Sequence, residues 1–123
     1  MADINAIAKQ FTEYYYHVFD FNPAVLAGQT RDRDNSMLTY EGDQLLGIAS
    51  IVNKLISLPF QKVQHVVSTL DAQPTPSGLI VMVTGQLVVD DSTTPLQYSQ
   101  VFHLLADGGS YYVYNDVFRL NYG

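Results

Sequence analysis

Downstream of Pro59 the chain changes its period, and that change limits what it can fold into. Four long β-prone segments follow, Gln61 to Ala72, Leu79 to Val89, Leu96 to Leu105 and Tyr111 to Tyr122, all rich in Val, Leu, Tyr and Phe. Three polar breaks divide them: Gln73-Pro74-Thr75-Pro76-Ser77-Gly78, Asp90-Asp91-Ser92-Thr93-Thr94-Pro95 and Ala106-Asp107-Gly108-Gly109-Ser110. Each break is short enough to reverse the chain between antiparallel neighbours, which gives a four-stranded meander. Strands this long twist strongly. A twisted sheet of such strands curls around a helix more readily than it stacks on a second sheet.

The helix to be wrapped lies at the other end. Ile7, Phe11, Tyr14, Tyr15, Val18 and Phe19 recur at three- and four-residue steps, and Asp3 is placed to cap the start. Asn22-Pro23 opens a second, short helix that Gly28 ends, and Gln29 to Ser36 reads as a surface connection. Met37 to Tyr40 and Gln44 to Leu46 make a small hairpin about Glu41-Gly42-Asp43. Ile48, Ile51, Val52, Leu55 and Ile56 trace a third helical face, which Pro59 stops near Leu58. The expectation is a single α+β domain over residues 1–123.

Composition narrows the functional classes. Apolar residues are 47% and charged ones 15%, enough apolar surface for a core and far from a disordered composition. Cysteine is absent, which excludes disulfides and thiolate chemistry. No apolar run approaches the roughly 20 residues of a membrane helix, and Met1 to Lys9 lacks a secretory pattern, so membrane insertion is not expected and the chain reads as intracellular. A net charge of −6 opposes contact with phosphates, so nucleic acid is not an expected partner. Beyond Lys62 the only strong base is Arg119, against Asp71, Asp90, Asp91, Asp107 and Asp116. That imbalance favours a basic partner.

Leu79-Ile80-Val81-Met82-Val83 is apolar without a break, which implies burial on both sides of the sheet. Helices in a chain of this length cover one side. A second copy packed sheet against sheet would cover the other, and Tyr111, Tyr112, Tyr114 and Tyr122 suit either such an interface or a ligand cavity.

No phosphate loop, nucleophile elbow or metalloprotease helix is present, and His17, His65 and His103 are scattered, so neither a metal nor a cofactor is expected. Two readings of the residues remain. An enzyme would use Asp20 or Asp116, tuned by desolvation, with a Tyr or His in an aromatic cavity. A binding protein would set Glu41, beside Tyr40, and Asp90-Asp91, beside Leu87-Val88-Val89, on the rim of an apolar depression that takes a partner's aromatic anchor.

The run from Gly47 to His65, most specifically Ser57-Leu58-Pro59-Phe60-Gln61-Lys62-Val63-Gln64-His65, resembles the nuclear transport factor two family. So do Met37-Leu38-Thr39-Tyr40-Glu41-Gly42, Asp71-Ala72-Gln73-Pro74, Tyr98-Ser99-Gln100-Val101-Phe102 and Asn115-Asp116-Val117-Phe118-Arg119-Leu120, together with Phe11, Tyr15, Tyr16, Phe19 and Asp20. The resemblance implies a cone-shaped, strongly bent antiparallel sheet wrapped around a long N-terminal helix with two shorter helices, the cystatin-like superfamily fold. It also implies a homodimer that carries the GDP-bound form of the small GTPase Ran through nuclear pores into the nucleus, working in cytoplasm and nucleus and concentrated at the pores, without catalysis. By the same resemblance Glu41, Asp90 and Asp91 meet basic residues of Ran, while Tyr40, Leu58, Val63, Met82, Leu87, Val117 and Phe118 form the apolar mouth. Ile4 and Ile7 fall where relatives bind Phe-x-Phe-Gly repeats of nucleoporins.

Four departures accompany it. Ile4 stands where many relatives carry an aromatic residue, Tyr40 occupies a position often filled by Trp or Phe, Ser92 replaces an acid found in some relatives, and the Gln29 to Ser36 connection is about two residues longer. The same superfamily fold hosts ketosteroid isomerase and scytalone dehydratase, so fold alone does not decide function.

Overall fold

The computed structural model describes residues 3–21, 35–57, 62–90, 93–107 and 110–121. Helix α1 runs over Ile4–Phe21, α2 over Ile48–Ile56, and the strands are β1 (Met37–Tyr40), β2 (Asp43–Leu46), β3 (Val63–Thr75), β4 (Gly78–Val89), β5 (Leu96–Asp107) and β6 (Ser110–Leu120). Asp3 caps α1 as its residue type predicts: its carboxylate accepts the Asn5 N–H at 3.0 Å and its carbonyl accepts the Ile7 N–H at 3.1 Å. The short helix expected from Asn22-Pro23 lies outside the described residues.

The strands form one six-stranded sheet in the order β2-β1-β6-β5-β4-β3. The meander β3 to β6 is antiparallel throughout, as expected. The small hairpin joins the same sheet, and β1 pairs with β6 in parallel, Met37 opposite Asn115 through Tyr40 opposite Phe118. The sheet is therefore mixed, a correction to the purely antiparallel expectation. β3 also runs further than its composition suggests, through Gln73-Pro74-Thr75, leaving only Pro76-Ser77 as the turn. Pro74 is tolerated because β3 is an outer strand, where a missing ladder N–H need cost nothing.

Burial alternates along β4, β5 and the second half of β6. Leu79, Val81, Val83 and Leu87 of β4, Tyr98, Gln100, Phe102 and Leu104 of β5, and Asp116 and Phe118 of β6 are buried. These side chains join the core with Ala8, Tyr15, Tyr16 and Phe19 of α1 and Ile51 and Leu55 of α2. Phe102 is fully buried among them, with its ring 5.2 Å from Phe11 and 4.6 Å from Tyr15. Register slips at Val67/Thr69 and His103/Leu104 mark irregularities that add to the twist. Gly85 sits where strand and aromatic meet: a Cβ there would lie 2.1 Å from the Val66 carbonyl oxygen and 3.2 Å from the Tyr98 ring.

Among the described residues nothing covers the other sheet face. Met82, Val101 and Val117 form one cross-strand row on β4, β5 and β6, with Ile80 in the adjoining row. Met82 is 46% exposed and Val117 40%.

Candidate functional site

Strand directions decide what gathers at each end of the sheet. The ends of β1, β6 and β4 and the starts of β3 and β5 lie at the same end, because β1 and β6 are parallel and the others alternate. Glu41 follows β1 and Asp90 follows β4, so both stand on this one rim, three strand steps or about 14 Å of sheet width apart before bending.

Both carboxylates are carried on unusual backbone. Glu41 has φ 52° and Asp90 φ 51°, the only non-glycine residues with positive φ among those described. Glu41 and Gly42 (φ 92°) form the two-residue loop of the β1–β2 hairpin, a geometry that Asn-Gly would fill with less strain. A Glu in the left-handed region costs about 1–2 kcal/mol, so the fold alone does not explain its presence. Glu41 is nonetheless fixed: its N–H donates to the Phe118 carbonyl at 3.0 Å, and its Oε1 accepts the N–H of Leu120. Asp90 is fixed against the start of β3, where its Oδ1 accepts the Lys62 N–H at 2.8 Å and its own N–H donates to the Lys62 carbonyl at 2.9 Å.

Behind the rim lies a hollow lined by Leu38 and Tyr40 of β1, Leu55 of α2, His65 of β3, Leu87 of β4, Gln100 of β5, Phe118 of β6, and Tyr15 and Phe19 of α1. The Tyr40 ring stacks on Phe118 at 4.9 Å and 10°. Lys54 Nζ stands 5.5 Å over the Tyr40 ring while pairing with Asp43 Oδ2 at 3.1 Å. Burial, and then the Glu41 charge, pushes the Tyr40 hydroxyl up to about 12, so it stays protonated across the physiological range. The enclosed volume is about 10 Å³, room for one water.

The floor is polar and closed on itself. Asp116 accepts the Tyr15 hydroxyl at 2.6 Å and Gln100 Nε2 at 2.7 Å, and Tyr16 donates to Gln100 Oε1 at 2.8 Å. Asp20 accepts both the His65 N–H at 3.0 Å and the His65 ring nitrogen Nδ1 at 2.7 Å, the His65 ring being stacked on Tyr16 at 4.1 Å. Asp116 thus neither pairs with a cation nor points outward.

Burial raises the Asp116 carboxyl from 3.8 to about 6, more than its two hydrogen bonds lower it. In the unfolded chain the group ionises near its ordinary value, so between 3.8 and about 6 the folded state holds the extra proton. Its contribution to stability is therefore complete below the lower value and is lost as pH rises through the upper one, by about 3 kcal/mol. Urea denaturation of the wild type and Asp116→Asn from pH 3.5 to 7 checks this. The wild-type midpoint should carry a downward component over that window that is missing from the variant; parallel curves would contradict it.

Of the residues expected at the mouth, the structure brings Tyr40, Leu87 and Phe118 together in the hollow. Val63 is buried nearby at the start of β3, opposite Val89. Met82 and Val117 do not belong to the mouth. They lie on the opposite face of the sheet, since Met82 is an odd number of residues from inward-facing Leu87 and Val117 is adjacent to inward-facing Phe118. Leu58 and Asp91 lie outside the described residues. Ile4 and Ile7 are half-buried on one flank of α1 and pack on the core. The hollow also uses Tyr15, Phe19, Leu38, Leu55, His65 and Gln100, to which sequence reasoning gave no role at the mouth. The helical spacing signalled Tyr15, Phe19 and Leu55; nothing in the sequence signalled Gln100.

Comparison with known proteins places this geometry. The family model described as "Nuclear transport factor 2 (NTF2) domain" matches residues 7–120. Nuclear transport factor 2 of Candida glabrata is 58% identical over 122 residues, covering 98% of this chain and 96% of that protein. The Schizosaccharomyces pombe protein of the same name is 56% identical, with both chains fully covered. The solved structure of nuclear transport factor 2 from Cryptosporidium parvum superposes with a TM-score of 0.89 at 46% identity, covering 96% of this chain and 94% of that one. The chain, by sequence along its whole length and by fold, belongs to the nuclear transport factor 2 family.

Proposed function

We propose that this nuclear transport carrier takes as its cargo the GDP-bound form of Ran, seating an aromatic side chain of the switch region at the mouth of the hollow, beside Tyr40 and Phe118, while Glu41 and Asp90 meet basic residues of Ran. The observation that carries the reading is the pair of strained carboxylates on one rim of an aromatic hollow. Strained, non-glycine turns persist where they place a side chain for a task. Asp91 adds to the rim charge by its position next to Asp90.

The carrier works as a homodimer, sheet against sheet, through the uncovered Met82–Val101–Val117 row. It moves between cytoplasm and nucleus, is concentrated at nuclear pores, and engages Phe-x-Phe-Gly repeats through the α1 flank bearing Ile4 and Ile7. Proton-transfer chemistry lacks free groups in the hollow, because Asp20 and Asp116 are both held in hydrogen bonds. Capture on immobilised Ran tests the reading. Retention on the GDP form and not on the GTP form is the expected result; equal retention on both, or none, would refute it.

A further inference from the structure

The flank of α1 that faces away from Ile4 and Ile7 borders a groove that the carrier function leaves unused. Asn5, Lys9, Thr12 and Glu13 form its helical wall, and Val67, Ser68 and Leu70 of β3 form the other, around a volume of about 430 Å³. Ile7 and Lys9 lie about 160° apart around the helix axis, so this is a separate surface from the one expected to meet nucleoporin repeats.

Three observations point to one kind of occupant. Among the described residues β3 is an outer strand paired only with β4, so its other edge presents main-chain N–H and C=O groups with no described strand beside them. Its register slips between Val67 and Thr69, leaving Ser68 as an extra residue at the groove and out of the ladder. Thr12, on the wall, is fully buried, and its hydroxyl has no hydrogen-bond partner among the described residues. A buried hydroxyl in that state is uncommon, and a peptide group can satisfy it. Val66 and Val67 stand exposed along the same stretch of strand.

We propose that this groove is a docking site for an extended segment of another protein, which adds to the free edge of β3 over Val66 to Thr69 and seats one apolar side chain against Val67 and Leu70. Only an extended main chain supplies alternating donors and acceptors at the spacing a strand edge requires. Lys9 and Glu13 stand one helical turn apart with opposite charge, so the wall selects for neither sign and the segment is a neutral one. The Thr12 hydroxyl bonds to a main-chain group of the segment. The bulge at Ser68 also keeps this edge from pairing with a second copy along its full length.

The probe is the neutral peptide acetyl-Ser-Val-Thr-Leu-Ser-amide, titrated into the full-length ¹⁵N-labelled protein. Saturable amide shifts confined to Val66 to Leu70 and to Asn5 to Glu13 are expected, with slowed hydrogen exchange at Val67 and Ser68. Thr12→Val keeps the shape and removes the hydroxyl. Ser68→Pro removes an edge N–H at a bulge position, where proline is tolerated. Each should weaken the peptide at least tenfold, and if Ser68→Pro fails to fold, Thr12→Val alone decides. Absence of saturable shifts there, unchanged binding by both variants, or the same shifts arising with protein concentration and no peptide would each overturn the proposal, the last by showing a second copy in the groove. None of these outcomes bears on Ran capture.

Discussion

Glu41→Lys is expected to abolish capture of GDP-loaded Ran, weakening it by about a hundredfold or more, while the protein remains folded and dimeric. Breaking one side of a desolvated charge pair costs about 2–5 kcal/mol, and reversal adds repulsion to that loss. The folded state also pays, since the variant loses the hydrogen bond from the Leu120 N–H to the Glu41 carboxylate, worth about 1.5–3 kcal/mol. The turn itself keeps the Glu41 N–H bond to the Phe118 carbonyl, which does not involve the side chain. A thermal melt and gel filtration of the variant beside the capture assay separate the two effects. Full capture by Glu41→Lys would contradict the proposed contact, and loss of capture with loss of fold would be resolved by Glu41→Gln, which retains the acceptor and removes the charge.

Val101→Glu should convert the protein to a monomer at micromolar concentration. Val101 is the centre of the outer row, between Met82 on β4 and Val117 on β6, and two-fold pairing of the sheets would bring the rows of both copies together. Each copy would then bury a carboxylate with no partner, an effect of several kcal/mol counted twice across the interface. The core lies on the other face, under Val81, Val83 and Phe102, so the isolated subunit should keep its secondary structure. Sedimentation velocity reads the outcome directly. A variant that sediments like the wild type would remove the sheet-face dimer.

The architecture was legible in the sequence because each element carried its own period. Three- and four-residue spacing marked α1 and α2, and three turn-rich breaks marked the meander. Less legible was where the small hairpin would go. Its union with β6 is a parallel, long-range pairing, from Met37–Tyr40 to Asn115–Phe118, and no local pattern encodes such a partner.

The rim was readable, since Glu41 and Asp90 end strands that topology returns to one side. Their left-handed backbone was not, because a Glu at such a turn contradicts the residue preference that would announce it. That Met82 and Val117 face away from the mouth is legible in the strand period. Val117 and Phe118 are neighbours on one strand, and strand geometry sends neighbours to opposite faces. Asp116 shares the parity of Phe118 and so had to point inward, but its partners Tyr15 and Gln100 come from two other elements that only the fold assembles.

The central claim is that rim carboxylates and an aromatic hollow act together on the cargo. Calorimetric titration of GDP-loaded Ran into the wild type, Glu41→Gln and Asp90→Asn, each at low and high salt, tests it most directly. The account predicts weaker binding by both variants, with a shallower salt dependence than the wild type, since each lacks one charge that salt would screen. Wild-type affinity and wild-type salt dependence in both variants would contradict it.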